Sequence, residues 1–357
     1  MLPLSLDELA TVVGAVSIPG KSKSTLDGLS RPRSQAPVMH SIREITHLPE
    51  PPRSSVVTVG NFDGVHLGHQ ELFRRVVERA RAAESVAAAL TFDPHPSQIL
   101  APERVPKVLT PLLEKERLIE ATGIDLLWAL AFTLDLSRMP PAQFVEDVLV
   151  RDLRARAVVV GPNFRFGHRH AGDGRLLAEL GRKHGFEVEI AGALMVRRQM
   201  VSSTRVRELA ELGRVHLAGR LLGRPFSVSG PIVRGLGIGK EQTVPTLNLA
   251  HIDKRIDGQA PRQIPKPGVY VTRTRVAGAE HQSVTNIGHK PTFGEHELTI
   301  ESFLLDYRGG RIEAEEMEIQ FLHRLRDERK FPDAAALKSQ IIRDAGRALT
   351  FFRRLRS

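Results

Sequence analysis

The hydrophobic pattern of this 357-residue chain changes its period near residues 215–225. Before that stretch, short apolar runs alternate with segments whose apolar residues recur at helical spacing, which is typical of a parallel sheet with crossover helices. After it, alternating or β-branched runs follow one another closely between Gly, Pro and Asn residues, which favours an antiparallel barrel or sandwich. Because domains typically hold about 100–200 residues, we predict an α/β domain over residues 39–215 and a β domain over residues 216–357.

Residues 1–38 follow neither pattern. They are rich in turn-forming residues and show no hydrophobic period, apart from one short amphipathic stretch near residues 6–16. Terminal segments of this kind stay unfolded unless they dock on a domain. We therefore predict a disordered extension ahead of the α/β domain.

The composition excludes several classes of protein. The chain has no cysteine, which excludes disulfides, thiolate metal sites and cysteine nucleophiles. No apolar run reaches about 18 residues, the length needed to span a bilayer. The N-terminus carries Asp7 and Glu8 rather than a basic signal segment. We expect a cytoplasmic protein without a membrane partner.

The net charge of +10 is concentrated at the C-terminus, where residues 321–357 contain ten Lys or Arg and four Asp or Glu. Such a terminus is compatible with nucleic-acid binding or with the solvated face of a terminal helix over residues 333–355. Aromatic residues do not alternate with the basic ones, so stacking on bases is not indicated. We expect no nucleic-acid partner, and the positive charge suits anionic nucleotides.

Two histidines stand where the first strand–turn–helix unit begins its helix. A strand from Val56 is followed by a turn over residues 60–64, and His66 and His69 share one face of the helix start. Free N–H groups and a partial positive charge at a helix N-terminus attract phosphate, and Gly68 permits close approach. This pattern predicts histidines that stabilise charge on an α-phosphate; a metal-binding pair or two solvent-facing histidines remain alternatives.

A second polar segment, Ser-Ser-Thr-Arg-Val-Arg over residues 202–207, precedes another helix. Its hydroxyls can cap that helix, or they can bind ATP phosphates together with the two guanidinium groups. The residues alone leave both interpretations open. The chain has no Walker A loop, so a P-loop kinase is excluded.

Four motifs together resemble the adenylyltransferase half of bacterial bifunctional riboflavin kinase/FAD synthetase. They are Val-Gly-Asn-Phe-Asp-Gly-Val-His-Leu-Gly-His-Gln from residue 59, Thr-Phe-Asp-Pro-His-Pro from residue 91, Gly-Pro-Asn-Phe-Arg-Phe-Gly from residue 161, and residues 202–207. The resemblance implies a Rossmann-like nucleotidyltransferase domain with a parallel sheet, in which AMP passes from ATP to FMN to give FAD and pyrophosphate. It implies His66 and His69 as catalytic residues. The nucleotide-binding residues that it implies are Gly60, Asn61, Gly68, Asn163, Ser202, Ser203, Thr204, Arg205 and Arg207.

The β-rich half contains a Gly-rich segment over residues 230–240 that is closed by Pro-Thr-Leu-Asn at residues 245–248. Backbone N–H groups of such a loop can surround phosphates, and Thr and Asn oxygens suit Mg²⁺, although a plain hairpin loop has the same composition. Farther on, Glu301 lies in an alternating run. It is either an exposed strand residue or a general base at the barrel mouth, acting on a primary alcohol.

The resemblance extends to this half as well. Residues 245–248 are similar to the family's Pro-Thr-Ala-Asn signature, with Leu247 in place of Ala. This implies an antiparallel β-barrel riboflavin kinase domain with a terminal helix, in which Glu301 activates the 5′-hydroxyl of riboflavin. The further residues implied are Gly235 and Gly239 for the nucleotide and Thr246 and Asn248 for Mg²⁺–ATP. Residues 241–244 depart from the family pattern.

The resemblance as a whole implies one chain that converts riboflavin to FMN and FMN to FAD, with ATP as co-substrate and Mg²⁺ as cofactor in both steps. Its small-molecule partners would be riboflavin, FMN and ATP. Two alternatives remain. One is a flavin or nucleotide sensor without turnover, and the other is an FMN adenylyltransferase whose kinase domain is degenerate.

Overall fold

The computed structural model describes residues 39–233, 246–250, 260–292, 295–307 and 312–356. The predicted extension over residues 1–38 lies outside the described residues, as do Gly235 and Gly239. The chain forms two compact units: the described residues up to Arg207 join Leu221–Gly223, and Glu208–Arg220 joins the residues from Arg224 onward. The boundary predicted between residues 215 and 216 stays a prediction.

The first unit is built on a six-stranded sheet in the order β1-β4-β3-β2-β5-β8, with all neighbouring strands parallel. The sheet strands are β1 His40–Ile45, β2 Ser55–Val59, β3 Val86–Asp93, β4 Leu126–Ala131, β5 Ala155–Val160 and β8 Glu187–Ile190. Two short pairs, β6 Arg165–Phe166 with β7 Gly172–Asp173 and β9 Met195–Val196 with β10 Gln199–Met200, lie outside the sheet.

Helices cover both faces of this sheet. They are α1 Leu67–Ala82, α2 Pro96–Leu100, α3 Leu112–Glu120, α4 Leu134–Arg138, α5 Pro141–Phe144 with its π-helical continuation Val145–Asp152, and α6 Gly174–His184; 3₁₀ turns occupy Pro102–Arg104 and His168–His170. Alternate residues of the buried strands pack on opposite layers, because side chains alternate along a strand. Val56 packs in the cluster of Phe73 from α1, and Val57 packs in the cluster of Leu177 from α6. The predicted Rossmann-like α/β fold is confirmed.

The strand order places a crevice at one edge of the sheet. From β2 the chain proceeds outward to β3 and β4, whereas β5 and β8 lie on the other side of β2. Ligands of open α/β sheets bind at the carboxyl ends of the strands where the order reverses. Gly60 follows β2 and Gly161 follows β5, so the loops that begin with these glycines lie at that point.

The second unit is a closed antiparallel barrel, as predicted, in the order β11-β12-β15-β14-β13-β16. The chain enters it through α7 Ser203–Glu211 and α8 Val215–Leu222. Its strands are β11 Phe226–Val233, β12 Thr246–Leu249, β13 Gly268–Val276, β14 Ala279–Thr292, β15 Glu295–Leu304 and β16 Glu316–Arg326. The terminal helix, α9 Ala334–Arg356, packs on the barrel through Ala348 and Phe352, which cluster with Val271.

Five hydroxyl side chains form a hydrogen-bonded ring inside the barrel. Its members, all fully buried, are Thr272, Thr274, Ser283, Thr285 and Ser302. The ring closes through donor–acceptor distances of 2.6–3.1 Å, so each hydroxyl has two neighbours. A hydroxyl donates once and also accepts, so the ring satisfies every member without water. Among the helices that the structure describes, none combines the length and apolar character needed to span a membrane.

Candidate functional site

A cavity of about 230 Å³ lies at the carboxyl ends of β2 and β5 in the α/β unit. The loops that follow these strands, the first turn of α1 and the segment around β10 form its walls. Six of the predicted site residues line it: Gly60, His66, Gly68, His69, Asn163 and Ser202. The structure therefore brings together, at the position expected for a ligand of an open α/β sheet, residues from three of the four motifs.

The two histidines of this cavity are stacked. The imidazole centroids of His66 and His69 are 3.5 Å apart, and their planes differ by 19°. His66 is also the N-cap of α1, because its Nδ1 accepts a hydrogen bond from the backbone N–H of His69 at 3.2 Å. The rings of Phe62 and His69 pack edge to face, with their centroids 5.3 Å apart. These contacts fix both imidazoles at the start of the helix.

Burial keeps His69 in its neutral form. The pKa of His69 is lowered well below its ordinary value by burial first, then by the nearby charges of His66 and Lys115. Its Nδ1 is buried and has no hydrogen-bond partner among the described residues. Since a neutral imidazole donates from one nitrogen and accepts at the other, His69 can hydrogen-bond a phosphate oxygen without carrying a full charge.

The position of the His66 ring explains why residue 68 is a glycine. A Cβ atom at this position would lie 3.2 Å from Cε1 and Nδ1 of the His66 ring. The sequence predicted that Gly68 lets a ligand approach the backbone, and the structure adds that it leaves room for the imidazole. Gly161 differs, because a Cβ atom there would meet nothing within 4 Å.

The loop between β2 and α1 has no regular structure, and side chains from distant segments bind its carbonyl groups. The carbonyl of Asn61 accepts hydrogen bonds from Lys115 Nζ at 2.8 Å and from Thr91 Oγ1 at 3.3 Å. The carbonyl of Asp63 accepts a hydrogen bond from Ser203 Oγ at 2.8 Å. The loop is thereby held against the helix that starts at Ser203.

The buried carboxylate of Asp63 organises a second loop. It accepts hydrogen bonds from the backbone N–H groups of Leu109, at 3.1 Å, and Thr110, at 3.0 Å. It also forms an ion pair with the guanidinium of Arg207, whose Nε donates to the Lys107 carbonyl at 2.7 Å. Arg207 thus binds protein groups, and it does not line the cavity.

The other members of the 202–207 segment have mixed surroundings. Ser202 Oγ accepts a hydrogen bond from the backbone N–H of Arg205 at 3.2 Å, which is the capping contact considered from the sequence, and Ser202 also lines the cavity. Thr204 is exposed, as are Asn61 and Asn163. The phosphate-binding roles of these residues stay predictions.

Two buried charged residues of this site were not predicted from the sequence. Asp63 lies inside a motif that was identified, and Lys115 lies on α3. Both are nearly excluded from solvent, at 6% and 8% exposure. A signal for Lys115 was present, because it precedes the buried Ile119 by one helical turn and therefore shares its face.

The predicted kinase residues lie in one row on the barrel. Strand register places Glu301 of β15 directly between Asn248 of β12 and Asn286 of β14. Thr246 is two residues before Asn248 on the same strand, so it shares that face. The row therefore presents one carboxylate, two amides and one hydroxyl.

This row lies on the outer face of the barrel. Ser302 and Thr285, the neighbours of Glu301 and Asn286, are fully buried members of the interior hydroxyl ring, whereas Glu301 and Asn286 are half-buried. Side chains alternate between faces along a strand, so the row points away from the interior. The structure thus differs from the interpretation that placed Glu301 inside the barrel mouth: pairing with Asn248 and Asn286 fixes its face.

Known families match the two halves of the chain separately. The sequence model of the FAD synthetase family matches residues 48–205, which contain the cavity and the histidine pair. The model of the riboflavin kinase family matches residues 222–352, which contain the barrel and the Glu301 row.

Whole-length relatives combine both halves. The bifunctional riboflavin kinase/FMN adenylyltransferase of Pseudomonas fluorescens is 34% identical over 314 residues, which cover 87% of this chain and 98% of that protein. The protein of the same name from Escherichia coli K12 is 32% identical over 317 residues, covering 88% and 98%. A crystal structure described as a macrolide-efflux protein from Streptococcus pneumoniae has a TM-score of 0.74 and 28% identity, covers 85% of this chain and 97% of its own, and shares the fold. This chain belongs to the family of bifunctional riboflavin kinase/FMN adenylyltransferases.

Proposed function

We propose that this chain phosphorylates riboflavin to FMN in the barrel unit and adenylylates FMN to FAD in the α/β unit, with ATP as co-substrate in both steps. The observation that carries the proposal is the cavity at the β2–β5 crevice, where the stacked pair of His66 and His69 starts a helix. The relatives that match almost the whole chain carry both activities in their names.

In adenylyl transfer, a phosphate oxygen of FMN attacks the α-phosphorus of ATP, and the bond to pyrophosphate breaks. No covalent intermediate with the protein is needed, so the protein contributes positioning and charge stabilisation. We assign His66 and His69 to the oxygens of the reacting α-phosphate. The N-terminus of α1 adds backbone N–H groups and a partial positive charge to the same place.

In the kinase reaction, the 5′-hydroxyl of riboflavin attacks the γ-phosphorus of ATP, and ADP leaves. We assign Glu301 as the general base that accepts the hydroxyl proton, because an alcohol is a poor nucleophile while it keeps that proton. The hydroxyl of Thr246 and the amide of Asn248 supply hard oxygen donors beside Glu301 and would hold Mg²⁺. The bound ion would neutralise charge on the phosphates of ATP.

One assay tests this proposal. Purified protein is incubated with riboflavin, ATP and Mg²⁺, and the products are separated by chromatography. We expect FMN to appear first and FAD to follow. A sensor without turnover would bind flavin and form neither product, and a chain with a degenerate kinase domain would form FAD only from supplied FMN.

The cytoplasmic location and the lack of a nucleic-acid partner stay predictions. Part of the basic C-terminal segment is paired within the chain, since Arg326 of β16 pairs with Asp344 of the terminal helix at 2.8 Å. Binding to DNA through basic residues would weaken steeply as salt rises. We expect no salt-dependent retention on immobilised DNA.

A further inference from the structure

A buried lysine is bonded to the loop that forms one wall of the cavity and has no role in the chemistry described above. Lys115 lies on α3 and is 8% exposed. Its ammonium donates a hydrogen bond to the carbonyl of Asn61 at 2.8 Å. Asn61 stands between Gly60 and Phe62, both of which line the cavity, whereas Lys115 itself does not line it.

The charge of this lysine is only indirectly compensated. The carboxylates of Asp63, Asp93 and Glu116 are close enough to favour the charged form, but burial outweighs them and lowers the pKa of Lys115. In the part of the chain that the structure describes, no carboxylate forms an ion pair with its ammonium. A buried cation without an ion-pair partner costs stability, and a buried charge with a shifted pKa beside a cavity is typical of a functional site.

Two of the three surrounding carboxylates are paired with other cations. Asp63 is paired with Arg207, and Glu116 is paired with Arg43. Asp93 is partly buried, and burial is the main cause of its raised pKa. The charges of Lys115 and Arg43 lower this pKa, whereas those of Glu44 and Glu116 raise it. The carboxylates therefore compensate the charge of Lys115 only in part, and that charge also acts on its other neighbours.

The histidine pair is one of those neighbours. Lys115 is the third cause, after burial and His66, of the lowered pKa of His69. A positive charge bonded to the loop opposes protonation of His69, and it also attracts the polyphosphate of a nucleotide in the cavity.

We propose that Lys115 is a positioning residue for adenylyl transfer: its buried ammonium fixes the Asn61 carbonyl, and with it the cavity wall of Gly60 and Phe62, and places a positive charge near His69. The inference rests on the proposed adenylyltransferase function of the same cavity. It assigns no proton transfer to Lys115, which acts through the loop and through His69.

The test compares two variants of the full-length protein with a control on the same helix. Lys115→Met keeps the length of the side chain but removes the charge and the donor, whereas Lys115→Gln retains an N–H donor without the charge. Arg117→Met removes a charge from the exposed face of α3 and serves as the control. The readouts are kcat and KM for FAD formation from FMN, the titration of His69 by NMR, and riboflavin phosphorylation.

For Lys115→Met we expect kcat of FAD formation to fall at least tenfold, a larger factor than the change in KM. The rate of riboflavin phosphorylation should stay within about twofold of that of wild type. The titration midpoint of His69 should rise, because removal of a neighbouring positive charge favours the imidazolium. The acidic limb of the rate profile should then move to higher pH. Arg117→Met should change none of these quantities.

FAD formation within twofold of wild type in Lys115→Met overturns the proposal, as does a tenfold loss with an unchanged His69 titration. If Lys115→Met does not fold, the same measurements are made on Lys115→Gln. A reduced rate of FAD formation with a raised His69 midpoint supports the proposal, and a wild-type rate overturns it. A wild-type protein that makes no FAD from FMN would instead refute the proposed function.

Discussion

Asp63 and Arg207 form an ion pair whose side chains are only 8% and 16% exposed, 144 residues apart in the sequence. The sequence predicted Arg207 as a ligand of the ATP phosphates. That role stays a prediction; in the structure its guanidinium joins the loop after β2 to the start of α7 and donates to the Lys107 carbonyl. The pair therefore connects two of the motifs that surround the cavity.

Replacement of Arg207 by Ala should destabilise the α/β unit. Removal of one partner leaves a buried charge uncompensated, which typically costs about 3–5 kcal/mol. Trp128 is the only tryptophan, is fully buried in this unit, and reports its unfolding by fluorescence in denaturant. The double variant Asp63→Asn with Arg207→Met should recover part of the loss. If the Arg207→Ala variant instead has wild-type stability and a raised KM for ATP, Arg207 binds the ATP phosphates rather than stabilising the unit.

Replacement of both His66 and His69 by Ala should suppress FAD formation by at least a hundredfold, because positioned groups that stabilise developing charge contribute about 10²–10³ each. FMN formation should continue, since the kinase residues lie in the barrel. The control is the double replacement of His168 and His170, which are exposed. If the variant without His66 and His69 still makes FAD from supplied FMN, these two imidazoles have only a structural role.

The stability of the α/β unit should fall as pH decreases below about 6.5, the ordinary pKa of histidine. The pKa of His69 is lowered in the folded state, so below 6.5 the unfolded chain binds a proton that the folded chain does not. The slope from this one residue is at most about 1.4 kcal/mol per pH unit, and it is absent above 6.5. His69→Gln should flatten the dependence of Trp128-monitored unfolding between pH 7.5 and 5.5. His95, whose pKa burial also lowers, leaves a residual slope. An unchanged slope would contradict the assignment.

Part of the fold could be predicted from the sequence because local patterns encode it. Strands β2, β3 and β5 each combine an apolar run with a Gly or Pro turn at the end. Strand β4 was not predicted, because Leu-Leu-Trp-Ala-Leu-Ala has no alternation and periodicity cannot separate a buried strand from a buried helix. Edge strand β1 is mostly exposed and lacks the apolar run that marks the others.

In the candidate site, too, local patterns predict some features, and others depend on contacts between distant segments. His66 and His69 lie within one helical turn, so their shared face follows from spacing alone. The contact of Lys115 with Asn61 joins residues 54 positions apart, and nothing local indicates it. The face on which Glu301 lies depends on its register with two other strands, which alternation within one strand cannot specify.

Replacement of Glu301 by Gln should abolish riboflavin phosphorylation without unfolding the barrel. Gln keeps the shape of the side chain beside Asn248 and Asn286 but cannot accept a proton at neutral pH. General-base catalysis typically contributes 10²–10⁴-fold, so kcat should fall by at least about a hundredfold while flavin binding persists. The variant should still convert added FMN to FAD, because that cavity lies in the α/β unit.

Glu318→Gln is the matched control for this change. Glu318 is also a half-buried glutamate on a barrel strand, where it pairs with Arg275 at 3.4 Å and lies outside the Glu301 row. It should retain riboflavin kinase turnover close to that of wild type. Turnover of Glu301→Gln within about threefold of wild type would refute the general-base role, since a lost proton acceptor costs more than that. The kinase reaction would then depend on positioning by the row rather than on proton transfer to its carboxylate.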